Sequence, residues 1–289
     1  MKYGFLNIYK PKGITSFDVI FKLRKILQIK KMGHTGTLDP MAEGVLIVAL
    51  SEATKIIEFM MQHDKAYSAE IILGSESTTY DAEGELKKVG SQKPDFDEVQ
   101  AVIESFEGEV DQVPPIYSAL KINGKKAYEL AREGKKVEMK SRKVTIHDIV
   151  LIDYKYPNLT IDVECSSGTY IRSLAHDIGK KLETGAYLNA LKRTKVGHFL
   201  VEDSVKLEDL EEDGLDKHLI PIEALSINFP SLEISRNELN KLNLGQFIER
   251  EDIKEENVCA FHEKKLVGIL EKVKDTDKPL YKYKKKINT

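Results

Sequence analysis

The spacing of apolar residues in this chain switches between two and about 3.6 without settling into a strand–helix–strand alternation, which favours an α+β fold over a doubly wound parallel sheet. Residues 3–9 alternate as a strand, and Thr15 with Asp18 makes a capping-box pattern opening a helix whose apolar face is Val19, Ile20, Leu23, Ile26 and Leu27. VLIVAL, ending at Leu50, reads as a buried strand, Glu52 to Met61 as a helix, and AYSAEIILG as an alternating strand. DFDEVQAVIESFEG predicts an amphipathic helix ended by Gly108. Lys125 to Arg132 predicts a short basic helix stopped by Gly134, and KVTIHDIVLIDY and LTIDVEC predict two further strands. Near Asn228 to Pro230 the texture changes to one helix, Asn237 to Leu244, followed by short strand patterns. The chain therefore divides into a large domain, 1–227, and a small β-rich module, 228–289.

At 289 residues, 41% of them hydrophobic, the chain is long enough to bury a sizeable core without disulfides. Its two cysteines, Cys165 and Cys259, lie far apart with no C-x-x-C, so two buried reduced thiols are expected. The longest purely apolar run, Val45 to Leu50, falls far short of the roughly 20 residues a membrane span needs, and MKYGFLNIYKPKG lacks the hydrophobic core of a signal segment. A cytoplasmic protein with no membrane partner is expected. A net charge of -3 argues against a nucleic-acid partner, but the charges are segregated. Lys2, Lys10, Lys12, Lys22, Arg24, Lys25, Lys30 and Lys31 are opposed only by Asp18 in the first 33 residues, and a second basic stretch runs from Lys121 to Lys143. Single charge runs are usually solvated helix faces; two of them around one unusual loop point to a polyanion.

That loop is GHTGTLDP, residues 33–40, which crowds turn-formers and small hydroxyl residues around Asp39. Taken alone it is a tight turn with Thr and Asp bonded to the backbone. TGTLD superficially resembles the DKTGTLT of ion-pumping ATPases, but there the nucleophile precedes TGT, and the matching position here is Gly33. The chain has neither a G-x-x-x-x-G-K-[ST] phosphate loop nor an H-E-x-x-H zinc motif, and His176-Asp177 reads as a helix-surface pair.

At KPKGITS (Lys10 to Ser16), GHTGTLDPMAEGVL (Gly33 to Leu46) and CSSGTYIRSLAHDIG (Cys165 to Gly179), the chain resembles the bacterial tRNA pseudouridine-55 synthases. QVPPIYSALKINGKKAYELAREG (Gln112 to Gly134) is similar to that family's RNA-gripping insertion, here about residues 112–140, and LKRTKVGHF (Leu191 to Phe199) to its late catalytic block. The resemblance covers residues 3–225; a small departure is Ser51, where relatives often carry Gly before the A-T-K of Ala53 to Lys55. It implies a pseudouridine-synthase fold with a mixed, mainly antiparallel central sheet flanked by helices, and a C-terminal module that looks like a PUA-type RNA-binding domain. The implied reaction needs neither cofactor nor metal.

The same resemblance makes Asp39 the nucleophile, attacking either the ribose anomeric carbon or the pyrimidine ring. It makes Arg172 in GTYIR its cationic partner, holding the carboxylate bidentately, and Tyr67 the ring that stacks on the expelled uracil. Lys10, His34 and Tyr170 join as substrate-binding residues. Lys121, Lys125, Lys126, Arg132, Lys135 and Lys136 are expected on RNA phosphates. The implied partner is the T arm of tRNA, bound by a monomer with no obligate protein partner, with help in tRNA folding as a second role. The core also occurs in guide-RNA-directed synthases; the Gln112 to Gly134 block favours the stand-alone type. A non-catalytic RNA-binding protein is a further alternative, against which the intact Asp39, Tyr67 and Arg172 speak.

Overall fold

The computed structural model describes residues 2–90, 92–118, 120–122, 124–133, 138–224, 229–274, 276 and 278–288. β1 (Gly4–Lys10) leads into α1 (Ser16–Leu27), where the capping box is present: the Thr15 hydroxyl accepts from the Asp18 amide and the Asp18 carboxylate from the Thr15 amide. β2 (Met32–His34) and β3 (Ala42–Leu50) follow. The single helix expected from Glu52 to Met61 is instead a 3-10 segment, Ser51–Ile56, running into α2 (Ile57–Met60). Burial of Ala53 and Ile56, three apart, suits the tighter helix, and the Thr54 hydroxyl donates to the Ser51 carbonyl.

β4 (Lys65–Leu73), β5 (Ser75–Ser77) and β6 (Leu86–Lys88) precede α3 (Phe96–Glu104). α3 stops short of Gly108, which opens β7 (Gly108–Gln112). β8 (Lys121–Ile122) and β9 (Lys125–Lys126) form a hairpin ahead of α4 (Ala127–Arg132), so the predicted basic helix gives its first two residues to a strand; Gly134 lies outside the described residues. β10 (Arg142–Lys155), β11 (Asn158–Cys165), α5 (Ile171–Lys181), β12 (Ala186–Val196), β13 (Phe199–Leu200), α6 (Leu207–Asp213) and α7 (Leu215–His218) complete the larger part. Beyond it come β14 (Ser231–Glu233), α8 (Arg236–Asn243), β15 (Ile248–Glu249), β16 (Asn257–His262), β17 (Lys265–Lys272) and β18 (Leu280–Lys286).

Among the described residues the main sheet runs β1-β3-β12-β4-β11-β10-β7, with β2 on β3 and β13 on β12. Every pairing in it is antiparallel except β3 with β12, which is the mixed, mainly antiparallel sheet anticipated above. That parallel pair requires a glycine at position 44: its φ is 104°, and a Cβ there would stand 2.2 Å from the Arg193 carbonyl oxygen.

Alternation along β3 sorts the two faces of the sheet. Leu46, Val48 and Leu50 pack with Val19, Ile20 and Leu23 of α1, while Ala42 joins Tyr67, Leu191 and the Ile171 and Leu174 of α5. Val45, Ile47 and Ala49 point the other way and meet Cys259, Leu266, Ile269 and Ile287 of the C-terminal module. At roughly 1.5–3 kcal/mol per buried aliphatic side chain, this contact docks the module firmly. Lys285 also pairs with Glu58 at 2.9 Å, and Lys55 donates to the Lys286 carbonyl at 3.0 Å. The module is a five-stranded sheet, β14-β16-β17-β18-β15. The border drawn at 227 and 228 lies outside the described residues.

Cys165 and Cys259 are buried and free, and burial pushes their thiols up to about 11 and about 12. Ser51, the departure noted in the sequence, has φ 51°, a left-handed conformation that suits glycine, and its buried hydroxyl has no hydrogen-bond partner among the described residues. Ser51→Gly is therefore expected to stabilise the protein by about 1 kcal/mol, read as a melting temperature raised by about 2–4 °C. A lower melting temperature would contradict this reading of the turn.

Candidate active site

GHTGTLDP begins as strand, with Gly33 and His34 in β2, and continues as a loop gripped by the KPKGITS segment. The Ser16 hydroxyl accepts from the Leu38 amide at 2.9 Å and donates to the Leu38 carbonyl at 3.1 Å. The Gly13 amide and the Lys10 ammonium both donate to the Pro40 carbonyl, at 2.8 and 3.4 Å, and the Thr35 amide donates to Ile47 at 3.0 Å. The two motifs thus form one unit that fixes the residues on either side of Asp39. A Cβ on Gly33 would lie 2.7 Å from the Ile57 terminal methyl, while one on Gly36 would make only ordinary contacts with Arg193 and Lys65.

The Asp39 side chain is 35% exposed. Arg172, the second residue of α5 and 8% exposed, places Nε 3.0 Å from Asp39 Oδ2. The bidentate grip expected from the sequence is absent, because the rest of the guanidinium is committed elsewhere. Its Nη1 pairs with Asp81 at 3.2 Å and donates to the Thr79 carbonyl at 3.4 Å; its Nη2 donates to the Tyr117 carbonyl at 3.0 Å. Asp81 is itself buried, taking the Thr79 hydroxyl and the Glu83 amide on its other oxygen. One arginine therefore ties together the loop that bears Asp39, the turn after β5 and the segment around Tyr117. Burial raises the Asp39 pKa above the ordinary carboxylate value and Asp81 adds to the rise; Arg172, Lys10 and Arg193 oppose it.

Tyr67, on β4, is 7% exposed, and burial raises its phenol pKa, keeping the hydroxyl protonated. It sits across the ladder from Arg193 of β12, which is hydrogen-bonded to its phenol. Arg193 is buried, with Nε donating to the Val45 carbonyl at 2.8 Å and Nη2 to Gly36 at 3.2 Å, so it braces both tyrosine and loop. Lys10 is fully buried at the end of β1 and donates to the carbonyls of Pro11, Ile14 and Pro40; burial pushes its pKa down to about 8. His34 is half-buried, its pKa lowered by burial and then by Arg193, so the imidazole is neutral at neutral pH. Tyr170 precedes α5 with its backbone held by Gln112, whose amide both accepts from Tyr170 N at 2.7 Å and donates to Tyr170 O at 3.0 Å; Arg142 lies over its ring. Lys125 is exposed and 3.9 Å from Glu133. The side chains of Lys121, Lys126 and Arg132, and all of Lys135 and Lys136, lie outside what the structure describes.

Sequence reading missed Asp81 and Arg193. Arg193 alternates with the apolar Leu191 inside the matched LKRTKVGHF block, a signal for an inward-facing charge; Asp81 sits in the polar turn TTYDAEG, which carries no such signal. His176 is not a bare surface residue either, since its ring stacks on Tyr80 at 4.0 Å. Among the described residues no group of three or more His, Cys, Asp or Glu could hold a metal ion, and no helix is long and apolar enough to cross a membrane.

Residues 24–171 match the model of the TruB family pseudouridylate synthase N-terminal domain, and residues 172–226 that of the tRNA pseudouridylate synthase B C-terminal domain. The tRNA pseudouridine synthase B of Clostridium tetani is 43% identical over 278 residues, 94% of this chain and 96% of that protein. Its namesake from Caldanaerobacter subterraneus is 46% identical, covering 85% of this chain and 86% of its own. Among solved structures, a chain of a Cbf5-Nop10-Gar1 complex superposes with a TM-score of 0.77 at 27% identity, over 98% of this chain and 84% of that one. A chain of an H/ACA RNP bound to a substrate RNA containing 2'-deoxyuridine does so with a TM-score of 0.75 at 25% identity, over 99% and 85%. The shared fold extends through the C-terminal module, and the chain belongs to the TruB family of tRNA pseudouridylate synthases, isomerases that convert uridine to pseudouridine.

Proposed function

We propose that the enzyme acts on the uridine at position 55 in the T loop of tRNA, and that Asp39 is its nucleophile. The observation that carries this is a half-buried carboxylate, Asp39, ion-paired with the buried Arg172, whose guanidinium is held in turn by the buried Asp81. The uracil N1 bond to the ribose anomeric carbon breaks, the base turns, and its C5 bonds to that carbon; C5 gives up a proton and N1 gains one, so composition is unchanged and no redox partner is needed. A carboxylate holds one fragment covalently while the other moves, by attack at the anomeric carbon or at the pyrimidine ring.

Extracting the base costs a few kcal/mol, and stacking on Tyr67 offsets roughly 1–3 kcal/mol of it. The neutral phenol presents an uncharged face to the uracil. Lys10 acts by holding the Pro40 carbonyl, and the small neutral His34 fills the space the base leaves. Tyr170, its backbone held by Gln112, contacts the substrate, and Lys121, Lys125, Lys126 and Arg132 of the 112–140 segment bind phosphates. The C-terminal module serves as a PUA-like RNA-binding domain, and the monomer works without guide RNA or partner protein.

The test is purified protein with an unmodified tRNA transcript and nothing else. Pseudouridine at the single T-loop position is expected, together with binding that weakens steeply from low to moderate salt. No product without added partners would favour a guide-directed enzyme; product at several unrelated positions would show the substrate assignment to be too narrow.

A further inference from the structure

The outer face of α1 carries an unusual surface. Its inner face buries Val19, Ile20 and Leu23, yet Phe17 and Phe21 stand 63% and 50% exposed on the other side. Each ring is covered by a cation: Arg24 lies 6.0 Å from the Phe17 centroid and Lys25 4.4 Å from that of Phe21. Among the described residues neither cation has a carboxylate within ion-pair distance. Lys12, Lys22 and Lys30 are exposed around the stripe, and the single acid of the helix, Asp18, is turned back onto Thr15.

Position gives this stripe its meaning. α1 packs on the same face of the main sheet as α5, the face that carries Tyr67, Leu191 and Ala42, whereas the C-terminal module covers the other. Ser16, next to Phe17, grips the loop bearing Asp39. The start of α1 is thus fixed against the loop that bears Asp39, so RNA reaching that loop comes close to α1. Phe17 and Phe21 are four residues apart, a rise of about 6 Å, which leaves room for a base on each ring when stacked bases are about 3.4 Å thick.

We infer that Phe17, Phe21, Arg24 and Lys25 form a docking surface for unpaired bases and adjoining phosphates of the substrate RNA, outside the catalytic pocket. The proposal rests on the tRNA reading above. Alternating rings and cations suit a ligand that alternates bases with phosphates, and the surplus of positive charge along the helix disfavours a basic or purely apolar partner.

The chain contains no tryptophan, so Phe21→Trp supplies a single tryptophan, on the stripe, whose emission is excited apart from that of the tyrosines. In the full-length protein, saturating tRNA transcript is expected to quench that emission. Phe17→Ala with Phe21→Ala is expected to weaken tRNA binding about tenfold, the loss appearing in KM and not in kcat, and Phe21→Tyr to restore it. Both rings are exposed, so the melting temperature serves as the control for folding. Emission unchanged while the tRNA is retained on a filter overturns the docking surface alone; no retention of tRNA by the wild-type chain overturns the substrate as well. A concentration-dependent emission shift without RNA would assign the stripe to a second copy of the chain and would also overturn it.

Discussion

Asp81→Asn is expected to slow the single-turnover reaction roughly a hundredfold while leaving KM within about twofold of wild type. Asp81 is 2% exposed and acts from behind the site, chiefly through its ion pair with Arg172 and also through its charge, which adds to the raised pKa of Asp39. The guanidinium is divided between two carboxylates, and it is the buried one that fixes its plane; without that charge the fork is free to turn toward Asp39 and take both its oxygens. Asp39 would then be held in the bidentate pairing that the native site avoids, rather than offered to the substrate. Removing one member of a buried pair commonly costs about 3–5 kcal/mol of stability, but Arg172 keeps Asp39 as a partner, so a stability loss nearer 2 kcal/mol is expected beside the slower reaction. A kcat within threefold of wild type would show that Asp81 does not position Arg172.

The division between what was readable in the sequence and what was not follows the distance over which each feature is determined. The capping box at Thr15 and Asp18 is a local bond pattern, and it is present. Strands β4, β10 and β11 were legible because alternation reports a half-buried sheet. The 3-10 turn after β3 was not, because its spacing differs from a helix by a fraction of a residue and is decided by where Ala53 and Ile56 bury. Lys10 reads as part of a basic run, yet carbonyls from KPKGITS and Pro40 enclose it completely. The parallel pairing of β3 with β12 joins residues about 150 apart, and only there does Gly44 acquire its reason. Asp81 likewise becomes part of the site through α5, some 90 residues away. Family motifs supplied Asp39, Tyr67 and Arg172 as candidates; the division of one guanidinium between two acids is a property of the folded chain.

Asp39→Asn bears most directly on the central claim, that this carboxylate is the attacking group. The amide keeps the shape of the side chain and removes the nucleophilic charge, so turnover is expected to fall by about ten-thousandfold or more. Stability should move the other way. A carboxyl whose pKa is raised on folding favours the folded state while protonated, and that advantage is lost as pH rises through the raised value, so at neutral pH the charge is a cost. With a third of the side chain exposed the cost is modest, and the variant is expected to melt at the wild-type temperature or up to about 3 °C above it. The decisive measurement is the single-turnover yield of pseudouridine in tRNA by Asp39→Asn protein of undiminished melting temperature. No product above background is predicted, and product accumulating at the wild-type rate would contradict the account.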